Sequence, residues 1–126
     1  MAKLMVELAR GDKEMNGNHH HIILTDQNFQ AEVIENSSPI LVEIRANWSG
    51  SCHILAPVLE ELADNYKSQI RFGWLDIDSN EQTASEFGVD QLPFILFFRD
   101  GRLMDHLIGL VSRKELEERI KILLRI

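Results

Sequence analysis

Cysteine is nearly missing from this 126-residue chain, with Cys52 as its single representative. A lone thiol excludes an intramolecular disulfide and any four-cysteine zinc site. Positive charge is also short, with 13 Lys and Arg against 20 Asp and Glu and a net charge of −7. Nucleic acids and anionic membrane surfaces are held by basic patches, so neither is expected as a partner. No apolar run approaches the roughly 18 residues of a membrane span. Glu7 and Arg10 interrupt the apolar residues near the start, and no cleavage-like site follows. A secretory leader is therefore not expected, and a cytoplasmic location is the default expectation. What remains is ordinary for a globular protein: 44% hydrophobic and 26% charged residues, in a length that fits one domain with a substantial core.

Residues 1–21 read as an N-terminal extension, partly disordered or a short helix, ahead of a domain over 22–126. Leu4, Met5 and Leu8 predict a short amphipathic helix over 2–10, which Gly11 and the Asn16, Gly17 pair break. His19, His20 and His21 are consecutive, and in a helix that spacing does not converge on one ion. They read as a surface tract, and no metal site is assigned.

Within the domain, residues 22–24 predict a short strand, and Thr25 predicts the cap of a helix over 26–35 with Phe29 and Val33 facing inward. Pro39 suits the entry to a strand over 40–44, rich in β-branched residues. A long helix over 51–66 follows, with Ile54, Leu55, Val58, Leu59 and Leu62 as its apolar stripe and Pro57 expected to bend it. A strand over 71–77, a helix over 81–87 stopped by Gly88, and an apolar strand over 95–98 come next. Asp100 and Gly101 predict a hairpin into a strand over 102–108. Ser112 and Glu115 form a capping box for a last helix that buries Leu116, Ile120, Leu123 and Leu124. The order β-α-β-α-β-α-β-β-α predicts an α/β fold: one mixed sheet with helices on both faces.

The stretch from Ile40 to Cys52 organises the rest. A buried strand crosses a small-residue turn into a helix N-terminus, where free backbone N–H groups and the helix dipole favour an anion. Trp48, Ser49, Gly50, Ser51 and Cys52 occupy that turn, and the stretch resembles the thioredoxin family, whose site is Trp-Cys-Gly-Pro-Cys. Further features carry the resemblance over roughly 22–124: Pro57, the run Leu75 to Asp78, Phe87 to Val89, Leu92 with Pro93, Asp100 with Gly101, and Gly109. It implies a thioredoxin fold, a protein or polypeptide partner and no cofactor.

The resemblance also implies roles. The family's attacking cysteine is Ser49 here, and its resolving cysteine is Cys52. A serine hydroxyl has almost no anion at neutral pH and makes no stable bond to sulfur, so dithiol exchange lacks its nucleophile. Glu43 stands where the family buries an aspartate, and Trp74 replaces a lysine usually beside it. A buried carboxylate without a cation is expected to have a raised pKa. It reads either as a proton relay for Cys52 or as a carboxyl retained without a redox task. Arg45 replaces a second tryptophan and is expected to alter the surface beside the site. His53 adjoins Cys52 in sequence, but successive helical residues point about 100° apart, so it reads as solvent-facing. Pro93 matches the family's cis-proline, and with Trp48, Gly50, Leu92 and Gly109 it is expected to line a shallow groove for an extended peptide.

Three functional readings follow. The first is a thioredoxin-like binding module, scaffold or chaperone-like, that holds extended polypeptide without reductase turnover. The family's holdase co-chaperones, which carry Ser-x-x-Cys, are its precedent. The second is a monothiol redox protein acting through an accessible Cys52. The third is a Cys-to-Ser form of an ordinary thiol–disulfide oxidoreductase.

Overall fold

The computed structural model describes residues 21–125. The expected helix over 2–10, His19 and His20 lie outside these residues. Five strands form one sheet in the order β1-β3-β2-β4-β5, where β1 is His21–Leu24, β2 Ile40–Arg45, β3 Arg71–Asp76, β4 Phe94–Arg99 and β5 Arg102–Ile108. β1 begins one residue before the expected boundary, because His21 pairs with Phe72. β3 runs parallel to both β1 and β2, whereas β4 is antiparallel to β2 and to β5. The helices are α1 (Gly50–Tyr66), α2 (Glu81–Glu86) and α3 (Arg113–Arg125).

Strand alternation divides the core into two layers. On one face Leu41, Phe72, Ile95, Phe97 and Leu107 pack under Leu55, Leu59 and Leu62 of α1 and Leu116, Ile120 and Leu123 of α3. On the other, Leu24, Ile40, Val42, Leu75 and Phe98 pack against Phe29, Val33 and Ala84. The mixed sheet with helices on both faces is thus the observed architecture.

Several expected elements come out differently. The first helix is not a regular α-helix: Thr25 caps a turn through bonds from the Gln27 and Asn28 N–H groups, and one π-helical turn, Gln30–Ile34, follows. Its wide ring closes through the Glu35 N–H on the Gln30 carbonyl at 2.8 Å. Phe29 and Val33 are still buried. The end of this turn supports the hairpin between β4 and β5, whose Gly101 lies directly on the Ile34 carbonyl with no space for a Cβ. Asp100 and Gly101 both have positive φ, 55° and 74°, which suits a tight hairpin between twisted strands. β3 ends at Asp76, and Ile77–Ser79 form a 3₁₀ turn.

α1 begins at Gly50 and continues through Pro57. Ile54 is not part of its buried stripe: it is 64% exposed. The buried positions Cys52, Leu55, Leu59, Leu62 and Ala63 follow steps of three, four and seven, and Ile54 falls about 200° from Cys52 around the axis. For α3, Ser112 accepts the Glu115 N–H at 3.1 Å, giving one half of the expected capping box. The Glu115 carboxylate turns instead to Arg119, one helical turn on, at 3.3 Å. Leu124 is only partly buried.

Candidate functional site

β2 and β4 are antiparallel neighbours with Ile44 opposite Phe94, so the residues just after β2 and just before β4 emerge at the same end of the sheet. That register brings the Trp48 turn alongside Leu92 and Pro93. The Leu92–Pro93 peptide is cis, and the Pro93 carbonyl accepts the Gly109 N–H at 2.8 Å. Gly109 has φ +85°, a conformation in which an L side chain is strained. Pro93 is buried, while Leu92 and Gly109 are partly exposed. Trp48 is 70% exposed, and its indole N–H donates to Asp78 Oδ2 at 2.9 Å. This bond steadies the ring at the surface rather than folding it into the core.

Ser49 is the N-cap of α1. Its backbone is extended, with φ −89° and ψ 117°, and its Oγ accepts the Cys52 N–H at 3.2 Å. A hydroxyl oxygen thus fills the place at the helix N-terminus that an anionic sulfur would need. Ser49 is itself buried. Cys52 lies one helical turn deeper and is 4% exposed, so the accessible thiol required by a monothiol mechanism is not on the surface. His53 is exposed, and its Nε2 lies 2.7 Å from the Asn47 carbonyl. Its ring thus meets the backbone of the turn that precedes the helix. Gly50 is exposed with open space where a Cβ would stand.

Glu43 is 3% exposed, and its Oε2 has no hydrogen-bond partner. Burial pushes its carboxyl up to about 7, and Arg45 opposes part of that rise. This corrects the expectation of a carboxylate lacking a cation: Arg45 Nη1 is 3.7 Å from Glu43 Oε1. The guanidinium also lies 3.7 Å above the Trp74 ring centroid, a cation–π contact. The cation beside the carboxyl thus comes from its own strand, and the ring beneath that cation comes from β3. Arg45 is therefore a site residue that sequence reasoning assigned only to the surface. The signal was the spacing: positions i and i+2 of a strand share a face, and Glu43 pairs in register with Trp74. A cavity of about 90 Å³ lies beside this group, with His21, Glu60 and the three residues just named on its wall.

Ile54 and Leu110 add exposed apolar surface in the first turns after Ser49 and directly after Gly109. Ile54 was expected in the buried stripe of the helix, and Leu110 carried no signal in the sequence, where apolar residues default to core. Among the described residues, no group of three His, Cys, Asp or Glu side chains could hold a metal ion, and no helix is long and apolar enough to cross a membrane.

Comparison with known proteins adds a family. The sequence model of the family described as Thioredoxin matches residues 20–122. Thioredoxin 1 of Synechococcus elongatus is 37% identical over 93 residues, covering 74% of this chain and 87% of that protein. The thioredoxin of Alicyclobacillus acidocaldarius is 38% identical over 97 residues, covering 77% and 91%. That of Buchnera aphidicola is 39% identical over 97 residues, covering 77% and 90%.

Proposed function

The chain belongs to the thioredoxin family, and from that membership we propose that it holds extended polypeptide segments, as a scaffold or chaperone-like domain, without disulfide reductase turnover. The observation that carries this reading is Ser49. Its oxygen caps α1 at the place where reduction needs a thiolate, and the remaining thiol, Cys52, is buried below it. Attack on a disulfide requires the nucleophile to reach sulfur in line, and neither group meets that need. Docking needs no thiol. An extended segment can bond to backbone beside Leu92 and rest on Trp48 and Leu110, the mode of strand addition with pockets for alternate side chains.

Two assays test the reading. With thioredoxin reductase and a reductant supply, the unmodified chain is expected to reduce insulin no faster than the uncatalysed background, and catalytic turnover would overturn the proposal. Binding of an apolar, fluorescently labelled peptide is expected to weaken about tenfold in Trp48→Ala, or about 1.4 kcal/mol. Pro93→Ala is expected to weaken it as well. Equal binding by all three proteins, or binding by none, would count against peptide capture. The Ser49→Cys chain separates the reading from that of a Cys-to-Ser oxidoreductase, since robust insulin reduction there would show the remaining machinery competent.

A further inference from the structure

Glu43 is an unresolved electrostatic problem in an otherwise satisfied core. One carboxyl oxygen, Oε2, has no hydrogen-bond partner, and the nearest guanidinium nitrogen of Arg45 stands 3.7 Å from the other, beyond hydrogen-bond length. A carboxylate cannot stay ionised in that state without large cost, because buried charge needs hydrogen-bonding partners. A neutral carboxyl can. Arg45 has the means to resolve the problem: its planar fork can bond both oxygens of one carboxylate. Its side chain is partly exposed and not fixed by packing on all sides. In the observed position the fork is spent on the face of Trp74 instead.

Space for a second position exists. The adjoining cavity of about 90 Å³ touches Glu43, Arg45 and Trp74 together. A cavity of that size admits several waters, and so the four heavy atoms of a guanidinium. We propose that Glu43, Arg45 and Trp74 form a two-position switch: the guanidinium rests on the indole while Glu43 is protonated, and turns into the cavity to pair with both oxygens when Glu43 is ionised.

The other charged or titratable groups facing this cluster are His21 from β1 and Glu60 from α1, both on the cavity wall, and Asp76 of β3, the register partner of Arg45. Cys52 of α1 is a further buried titratable group, placed at the helix N-terminus. A cationic His21 would compete with Arg45 for the carboxylate, and Glu60 would compete with Glu43 for the guanidinium. Burial holds the Glu43 carboxyl at about 7, so both positions are populated close to neutrality. The switch stands on the geometry of β2, β3 and the cavity, and does not depend on what binds at the Trp48 end.

The chain contains two tryptophans, so Trp48→Phe leaves Trp74 as the sole indole. In that protein, Trp74 emission is followed from pH 5 to 9 together with the ¹³C-carboxyl resonance of Glu43. One transition in emission is expected, with the same midpoint as the carboxyl. Arg45→Gln is expected to abolish the emission change while the carboxyl still titrates, at a midpoint raised by about one unit. Glu43→Gln is expected to abolish the emission change as well. Flat emission while Glu43 titrates would overturn the switch. So would an emission transition that survives Glu43→Gln, which would assign it to His21 or Glu60. Should Arg45→Gln fail to fold, Arg45→Lys, which keeps the charge but not the planar fork, is expected to lose the emission change as well, and an emission transition that survives it would overturn the switch.

Discussion

At Glu43 burial and charge are in conflict, and the conflict makes stability depend on pH with a sign opposite to that of most carboxylates. Its folded pKa of about 7 lies above the ordinary 4.5, so the folded chain holds the proton more tightly than the unfolded chain between those values. Stability from this group is therefore full below about pH 4.5, declines as pH rises, and is lost above about 7. The shift corresponds to about 3 kcal/mol. Glu43→Gln removes the charge and keeps the shape. It is expected to unfold near the parent chain's urea midpoint at pH 5 and to be more stable at pH 8, by up to about 3 kcal/mol. A stability difference that stays constant across that range would show Glu43 titrating normally. Ser49 is the contrasting residue: its hydroxyl accepts the Cys52 N–H and so satisfies the helix start without any charge.

Among the elements, α2 is the one that cannot stand alone. Six residues form less than two turns, too short for a helix to persist by propensity. Its preceding residue, Asn80, makes no side-chain cap and instead accepts the Asp26 N–H at 2.8 Å. The cap comes from Asp26, on the loop after β1. Its carboxylate accepts the Thr83 N–H at 2.8 Å, the Thr83 hydroxyl at 2.6 Å and the Gln82 N–H at 3.3 Å. Burial alone would raise the Asp26 pKa, but the bonds from Thr83 and Gln82 outweigh it and hold it below the usual value. Because the folded pKa is depressed, this stabilisation is present above about pH 4 and is lost as pH falls through the folded value. Asp26→Ala is expected to destabilise the fold by about 1–2 kcal/mol at neutral pH, with a shallower loss of stability in acid. Urea titrations at pH 7 and pH 3 check both parts.

Across the whole molecule, Arg45, ion-paired with Glu43, is the one strand arginine at the Trp48 end of the sheet among the described residues. Residues 46–66 and 72–98 contain no Lys or Arg, and the loops that frame Trp48 and Pro93 come from these stretches. Arg71, Arg99 and Arg102 lie at the opposite ends of their strands. An acidic surround raises the local concentration of cationic ligands, and salt screens it within about 10 Å at 0.1 M. An apolar peptide flanked by lysines is therefore expected to bind more tightly than its glutamate-flanked counterpart. The advantage is expected to shrink several-fold between roughly 50 and 300 mM salt. Equal affinities at low salt would remove any electrostatic role for this end of the molecule.

Sequence alone determined the succession of strands and helices along the chain, the ends marked by Gly88 and by Asp100 with Gly101, the helix N-terminus beside Ser49, and the family. These are local properties: periodicity, turn chemistry and short motifs repeat in the chain what the backbone must do nearby. It also carried the buried position of Glu43. The three-dimensional arrangement decided the rest. The π-helical turn at Gln30–Ile34 reflects packing of Phe29 and Val33 under the sheet and the hairpin behind Ile34, contacts invisible to helical periodicity. Ile54 looked like core because apolar residues on helices usually are, and only the docking of α1 decided which side meets the sheet. Asp26 caps a helix far along the chain, and Arg45 of β2 rests on the ring of Trp74 in β3. Each joins groups from different elements, and the free energy of such contacts depends on distances that no local pattern encodes.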